Sequence, residues 1–192
     1  MKKQFFIAIK FLMVITIITG IVYPVFVTVI AQTAFKDKAN GSLITKNGKI
    51  IGSQLIGQNF NTSRYFWPRP SSCDYNPLQS AGSNLGPTSK KLKVQVEKRR
   101  ASFIKENGIK DSIRIPSEML FASGSGLDPD ISPEAAILQV NRIEKARNFN
   151  EAQCHQLISI IHKMTEKPQF FMFGEEKINV FRLNLELDNI RQ

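Results

Sequence analysis

Between Phe11 and Ala31 the chain runs for twenty-one residues without a charge, in a sequence dominated by Leu, Ile, Val and Phe. Wound as a helix at about 1.5 Å per residue, that stretch covers the roughly 30 Å hydrocarbon core of a bilayer. A cleaved leader is the competing use, but its apolar region would be only about 7 to 15 residues long and would end in small residues at A-x-A spacing. Here the exit reads Val29-Ile30-Ala31-Gln32-Thr33-Ala34, without that spacing. The stretch is therefore read as a transmembrane helix at about 11–31, within an N-terminal segment 1–34. Pro24, with Gly20 nearby, is tolerable in such a helix when neighbouring helices or Thr16, Thr19 and Thr28 satisfy the freed carbonyl. Lys2, Lys3 and Lys10 precede the span, while Lys36 and Lys38 follow it with Asp37 between them. The positive-inside bias then predicts a cytoplasmic N-terminus and an extracytoplasmic domain, in a compartment where ATP is not normally present.

The remaining 158 residues, 35–192, have the size of one ordinary domain, large enough to bury a core without disulfides or metals. They carry 23 bases and 16 acids, an excess of seven positive charges. Such an excess suits a solvated face, anionic lipid, nucleic acid or an acidic partner. The densest cluster, Lys90, Lys91, Lys93, Lys98, Arg99 and Arg100, has no interleaved aromatics, so nucleic acid is not the expected partner. Two cysteines, Cys73 and Cys154, are too few for a disulfide framework or a four-ligand zinc site, and sequence leaves open whether they pair.

Residues 42–53 predict a hairpin, with Asn47-Gly48 as its turn. From 59 to 88 the chain is rich in Asn, Ser, Pro, Gly and aromatics and has no period; Tyr65, Phe66, Trp67 and Tyr75 predict an ordered loop, since disordered linkers are aromatic-poor. Residues 89–107 predict a helix stopped by Gly108, with Leu92, Val96 and Phe103 on one stripe. A second helix is expected from the Ser132 cap and Pro133 to about Asn148. A third starts at Asn150 with a capping box to Gln153 and should bury Cys154, Leu157, Ile158 and Ile161. Alternation over 178–187 predicts a strand, with one break in phase at Phe181. The expected fold class is α+β, one transmembrane helix followed by a single mixed domain, with no internal repeat.

Catalytic constellations are not found. His155 and His162 lie seven apart, not at the four-residue spacing of a zinc-protease helix. Ser123-Gly124-Ser125-Gly126-Leu127-Asp128-Pro129-Asp130 lacks the Gly-Lys-Ser/Thr of a phosphate loop and the closing Glu of an EF-hand, and reads as a turn leading into the Pro133 helix.

Taken together, Gly52-Ser53-Gln54-Leu55-Ile56-Gly57-Gln58-Asn59-Phe60, Tyr65-Phe66-Trp67-Pro68-Arg69-Pro70-Ser71, Asp74-Tyr75-Asn76 and Ser83-Asn84-Leu85-Gly86-Pro87-Thr88 resemble the hallmark block of the C subunits of bacterial Kdp potassium-transporting P-type ATPases. The resemblance continues through Ala122–Pro129, Ile131-Ser132-Pro133, Asn179-Val180, Leu183-Asn184-Leu185 and Leu187-Asp188, and so covers essentially the whole chain. Departures fall outside the central block: Asp130 where the family usually has His, Met164-Thr165-Glu166 for His-Thr-Glu, and Gly174-Glu175-Glu176 for Gly-Glu-Pro.

The resemblance implies an accessory subunit of an inner-membrane complex with A, B and F subunits, which imports potassium at the expense of ATP. The aspartyl-phosphate signature Asp-Lys-Thr-Gly-Thr is missing here, so the resemblance places ATP chemistry in the B subunit, with no catalytic residue and no metal in this chain. Two roles are implied: stabilising the assembly, and raising the B subunit's affinity for ATP. The second needs the domain to meet nucleotide, against the topology read from the lysines. Tyr65, Phe66, Trp67, Arg69, Tyr75 and Asn84 are the candidate partner-facing residues, because Trp, Tyr and Arg dominate interface hot spots; the competing use of the aromatics is to fold the long loop onto the domain's own core. Other functions in view are an anchored extracytoplasmic small-ligand-binding module and an anchored hydrolase.

Overall fold

A computed structural model describes residues 2–190 of the chain, which divide into two compact units, one up to Ser53 and one from Gln54 onward. The first begins with α1 (Lys2–Ile17), passes through a π-helical turn (Ile18–Val22) and continues as α2 (Tyr23–Ala34), a single apolar helix of 33 residues with mean hydropathy 2.5 over its best window. The widened turn sits just before Pro24, whose ring and missing N–H disturb the ordinary i to i−4 ladder; the Tyr23 N–H instead reaches back five residues to the Ile18 carbonyl. Thr19 and Thr28 donate to the Ile15 and Pro24 carbonyls, one turn back from each. Neither reaches the Gly20 carbonyl that Pro24 leaves without its usual donor. After a one-turn helix α3 (Lys36–Ala39), strands β1 (Leu43–Lys46) and β2 (Lys49–Ser53) form the expected hairpin. Asn47 and Gly48 both have positive φ, 53° and 73°, as a two-residue turn matched to strand twist requires.

In the second unit α4 (Lys90–Asn107) is capped by Ser89, whose side chain accepts from the Leu92 N–H, and stops at Gly108 in the left-handed conformation. Strand β3 (Asp130–Ile131) leads to the Ser132 cap and α5 (Pro133–Ile137). The single helix expected from Ser132 to about Asn148 is two: α5 closes at Ile137 and α6 (Val140–Arg147) starts after a tightened turn at Leu138 and Gln139. Helix α7 (Glu151–Met164) carries the complete capping box of Asn150 and Gln153. It fully buries Leu157 and Ile161, while Cys154 and Ile158 are only half-buried.

The strand expected over 178–187 is a helix for most of its length. Only Ile178–Asn179 pair, as β4, antiparallel to β3; Val180–Asp188 form α8. Asn179 accepts from the Arg182 N–H and caps the helix, and Val180, Leu183, Asn184 and Leu187 are buried at i, i+3, i+4 and i+7. The break in phase at Phe181 was the helical period showing through the alternation. The core gathers Phe103 from α4, Ala135 and Ala136 from α5, Ile143 from α6, Leu157 and Ile161 from α7, and Leu183 and Leu187 from α8 around Phe66 of the long loop.

Candidate functional site

The loop 59–88 has one short turn of helix, Pro77–Gln79, and otherwise no regular structure, yet it is held at many points. Its centre is Phe66-Trp67-Pro68-Arg69-Pro70, in which each proline removes a backbone donor and disfavours helix for the residue before it. An extended segment inside a domain needs partners for its N–H and C=O groups. Here two side-chain amides take the place of neighbouring strands. Asn184 of α8 accepts from the Phe66 N–H at 2.8 Å and donates to the Phe66 carbonyl at 3.0 Å. Gln139, in the turn between α5 and α6, accepts from the Trp67 N–H at 2.7 Å and donates to the Trp67 carbonyl at 3.3 Å. Both amides are buried, so each of these backbone pairs is shielded from water.

Arg142 completes the clamp. Its guanidinium donates to the carbonyls of Thr62, Ser63 and Tyr65 at 3.2, 2.7 and 3.0 Å, to Asn107 Oδ1 at 2.9 Å and to Gln139 Oε1 at 2.8 Å. It lies over the Trp67 ring, 4.0 Å from the centroid. All five acceptors are uncharged. Burial pushes Arg142 down to about 10, with Glu106 opposing, so the group stays charged at neutral pH. Arg147 works at the next turn, donating to the Arg64 carbonyl at 2.8 Å and to Asp188 at 2.7 Å, with its guanidinium 4.9 Å from the Tyr65 ring centroid; Tyr65 donates to the same carboxylate at 3.1 Å.

The second half of the loop docks on 123–130. Arg69 pairs with Asp128 at 2.5 Å, and Tyr75 donates to the Arg69 carbonyl; burial holds the Tyr75 phenol well above its usual range. Gly57 donates to the Leu127 carbonyl at 2.7 Å, and a Cβ there would come 2.7 Å from the Asp128 oxygen. Gly126 has φ of +71°, and a Cβ would fall 2.6 Å from Cys73 Sγ. The Ser-Gly-Ser-Gly run is thus a close-packing surface for the loop. Segments distant in sequence, on which the resemblance rested, meet in one assembly.

Of the candidate partner-facing residues, Phe66 is fully buried and spends its side chain on the core. Tyr65, Trp67, Arg69 and Tyr75 are half-buried, the first two committed on one side to the clamp, Arg69 to Asp128 and Tyr75 to the Arg69 carbonyl, and Asn84 is exposed with φ of 52°. A cleft of about 400 Å³ lies between this loop and α4, bordered by Trp67, Arg69, Tyr75, Arg99 and Phe103. The Nη1 atoms of its two arginines are engaged, Arg69 by Asp128 and Arg99 by the Leu120 carbonyl at 2.9 Å. Among the described residues no group of three His, Cys, Asp or Glu is placed to hold a metal ion. His155 and His162 are exposed. Sequence reasoning missed Asn107, Gln139, Arg142 and Arg147. The available signal was Gln139, a polar residue on the apolar stripe of Ala135, Ala136, Val140 and Ile143.

Cys73 and Cys154 are both free thiols. A hydrogen bond from Ser71 draws Cys73 below the usual thiol range, whereas desolvation and the neighbouring Glu144 raise Cys154. Because the thiolate is the nucleophile, iodoacetamide near neutral pH is expected to modify Cys73 first. Peptide mapping of a time course checks this; equal rates would contradict it.

The family model for KdpC, described as K+-transporting ATPase, c chain, matches residues 5–189. A Mycobacterium tuberculosis protein described as a potassium-transporting ATPase KdpC subunit is 44% identical over 192 residues, covering 99% of this chain and 100% of that protein. Proteins of the same description from Leptospira interrogans and Paraburkholderia phymatum are 42% and 40% identical, over 95% and 100% of this chain and 92% and 100% of theirs. With the match running from the apolar helix through the clamped loop to α8, the chain belongs to the KdpC family, the c chain of the K+-transporting ATPases.

Proposed function

We propose that this chain is a non-catalytic accessory subunit of an ATP-driven potassium importer of the inner membrane, and that it stabilises the assembly formed with the A, B and F subunits. The observation that carries this is the helix Lys2–Ala34, 33 residues long, uncharged from Phe11 to Ala31 and with no residue buried, a surface suited to cover by lipid or other membrane helices. The domain adds a loop fixed on its inner side, so that its outer side meets a partner already ordered and little entropy is lost on docking. ATP binding and hydrolysis are assigned to the B subunit. Any effect of this chain on ATP affinity is exerted through that subunit.

Purification of the complex from cells lacking this chain is expected to give dissociated subunits and no growth at low potassium. A chain whose residues 1–34 are exchanged for an unrelated span should fail to restore either. An intact, active complex without the chain would refute the stabilising role.

The side of the membrane separates the two modes of action. Leu78 is 94% exposed, which suits it to a reporter thiol. A Leu78→Cys chain with Cys73→Ser and Cys154→Ser is expected to react with an impermeant reagent on intact cells. Protection relieved only by lysis would put the domain with cytoplasmic nucleotide and support direct action on ATP affinity.

A further inference from the structure

Between α7 and β4 the chain folds back as a narrow arm. Glu166 and Lys177 exchange backbone hydrogen bonds at 2.8 and 3.1 Å, and Gln169 and Phe173 exchange a second pair, both at 2.9 Å. The turn beyond them reads Phe170-Phe171-Met172-Phe173, with exposures of 84, 83, 76 and 64%. Turn tips are normally built of Gly, Asn, Asp, Pro and Ser. Phe170 and Phe171 moreover hold φ of 53° and 59°, where bulky residues are rare. The N–H groups of Phe171, Met172 and Phe173 donate to Pro168, Gln169 and Gln169 carbonyls, so the tip can leave water without stranding those donors. Four adjacent large apolar side chains on an ordered, projecting turn form a patch of the kind soluble surfaces avoid.

We infer that this tip inserts into the lipid headgroup and upper acyl region as a second, shallow membrane contact of the chain. All four consecutive side chains are mostly exposed, so no single face of the arm carries them. A protein partner would have to enclose the tip, whereas a fluid lipid phase closes around it without a matching groove. The arm carries no positive excess, with Lys167 and Lys177 against Glu166, Glu175 and Glu176, and Lys163 in the last turn of α7. Lys177 is moreover held by Asp130 at 2.7 Å and Glu166 faces Arg182 at 3.6 Å. Attraction to an acidic partner or to anionic lipid is therefore not what drives the contact. Aromatic burial is, which suits zwitterionic lipid and is insensitive to salt. The apolar helix of the same chain keeps a membrane within reach, so the second contact forms at high effective concentration.

The test places a photoreactive benzoylphenylalanine at Phe171, and separately at Leu78, in the assembled complex in membranes. Leu78, 94% exposed against 83% for Phe171, lies outside the arm and serves as the control. Irradiation and mass spectrometry are expected to show phospholipid adducts at position 171 about tenfold or more above position 78, as transfer of one exposed phenyl side chain from water implies. That ratio should persist in high salt. Crosslinks from 171 to another subunit, equal lipid labelling at both positions, or no lipid adduct at 171 would each overturn the inference.

Discussion

Arg142→Ala is expected to cost about 3–5 kcal/mol of stability, a large share of the roughly 5–15 kcal/mol available to a domain. The guanidinium is the shared donor for three loop carbonyls and for Asn107 and Gln139; alanine takes the donor away from the Ser63 and Tyr65 carbonyls and from the buried Asn107 Oδ1, while the Thr62 carbonyl keeps the Trp67 indole N–H and Gln139 Oε1 keeps the Trp67 backbone N–H. The effect should spread, because Gln139 also holds the backbone of Trp67. Arg142→Met keeps most of the stem and removes every donor, so it should be nearly as damaging. Arg142→Lys should recover only part, since an ammonium cannot reproduce a planar fork of donors. Thermal unfolding of the full-length chain in detergent, followed by circular dichroism, reads this out. A methionine variant as stable as the native chain would show that packing, and not hydrogen bonding, is what Arg142 supplies.

A loss of similar size, about 3–5 kcal/mol, is expected for Phe66→Ala. Phe66 is fully buried among residues of α4 to α8, the large side chain that the loop places in the core. Truncation removes the apolar contact and leaves a cavity, and it loosens the backbone pair with Asn184. Phe66→Leu should cost only about 1–1.5 kcal/mol. The pair of variants separates two explanations of failed assembly. If Phe66 acts only through the fold, Phe66→Leu chains co-purify with their partners and Phe66→Ala chains lose both fold and partners. Loss of co-purification by a well-folded Phe66→Leu chain would show that the ring is read by a partner.

Where sequence reading succeeded, the responsible interactions are local. The Asn47-Gly48 turn, the Ser132 and Asn150 caps and the Gly108 stop involve residues within a few positions of each other, and each took the expected place. The 178–187 segment was misread because Ile178, Val180, Leu183, Leu185 and Leu187 satisfy both an alternating and a helical pattern over so short a run. The cap from Asn179 to the Arg182 N–H, and the faces offered by α7 and the loop, settled the choice. The helix after Ser132 was drawn too long because nothing in its composition reveals that Gln139 is needed by a backbone 72 residues earlier.

By itself the sequence determined that there is an uncharged helix long enough to span a bilayer, that a mixed helix and strand domain follows it, and which family the hallmark segments resemble. Those follow from composition, short-range capping and local motifs, all readable along one chain. Only the tertiary structure decided that Phe66 belongs to the core while Tyr65, Trp67, Arg69 and Tyr75 straddle it, and that Asn184, Gln139 and Arg142 stand in for the missing neighbours of an extended loop. Backbone polar groups must be satisfied wherever they are buried, but the chain can supply the partners from any distance, and that distance is not written in spacing or period.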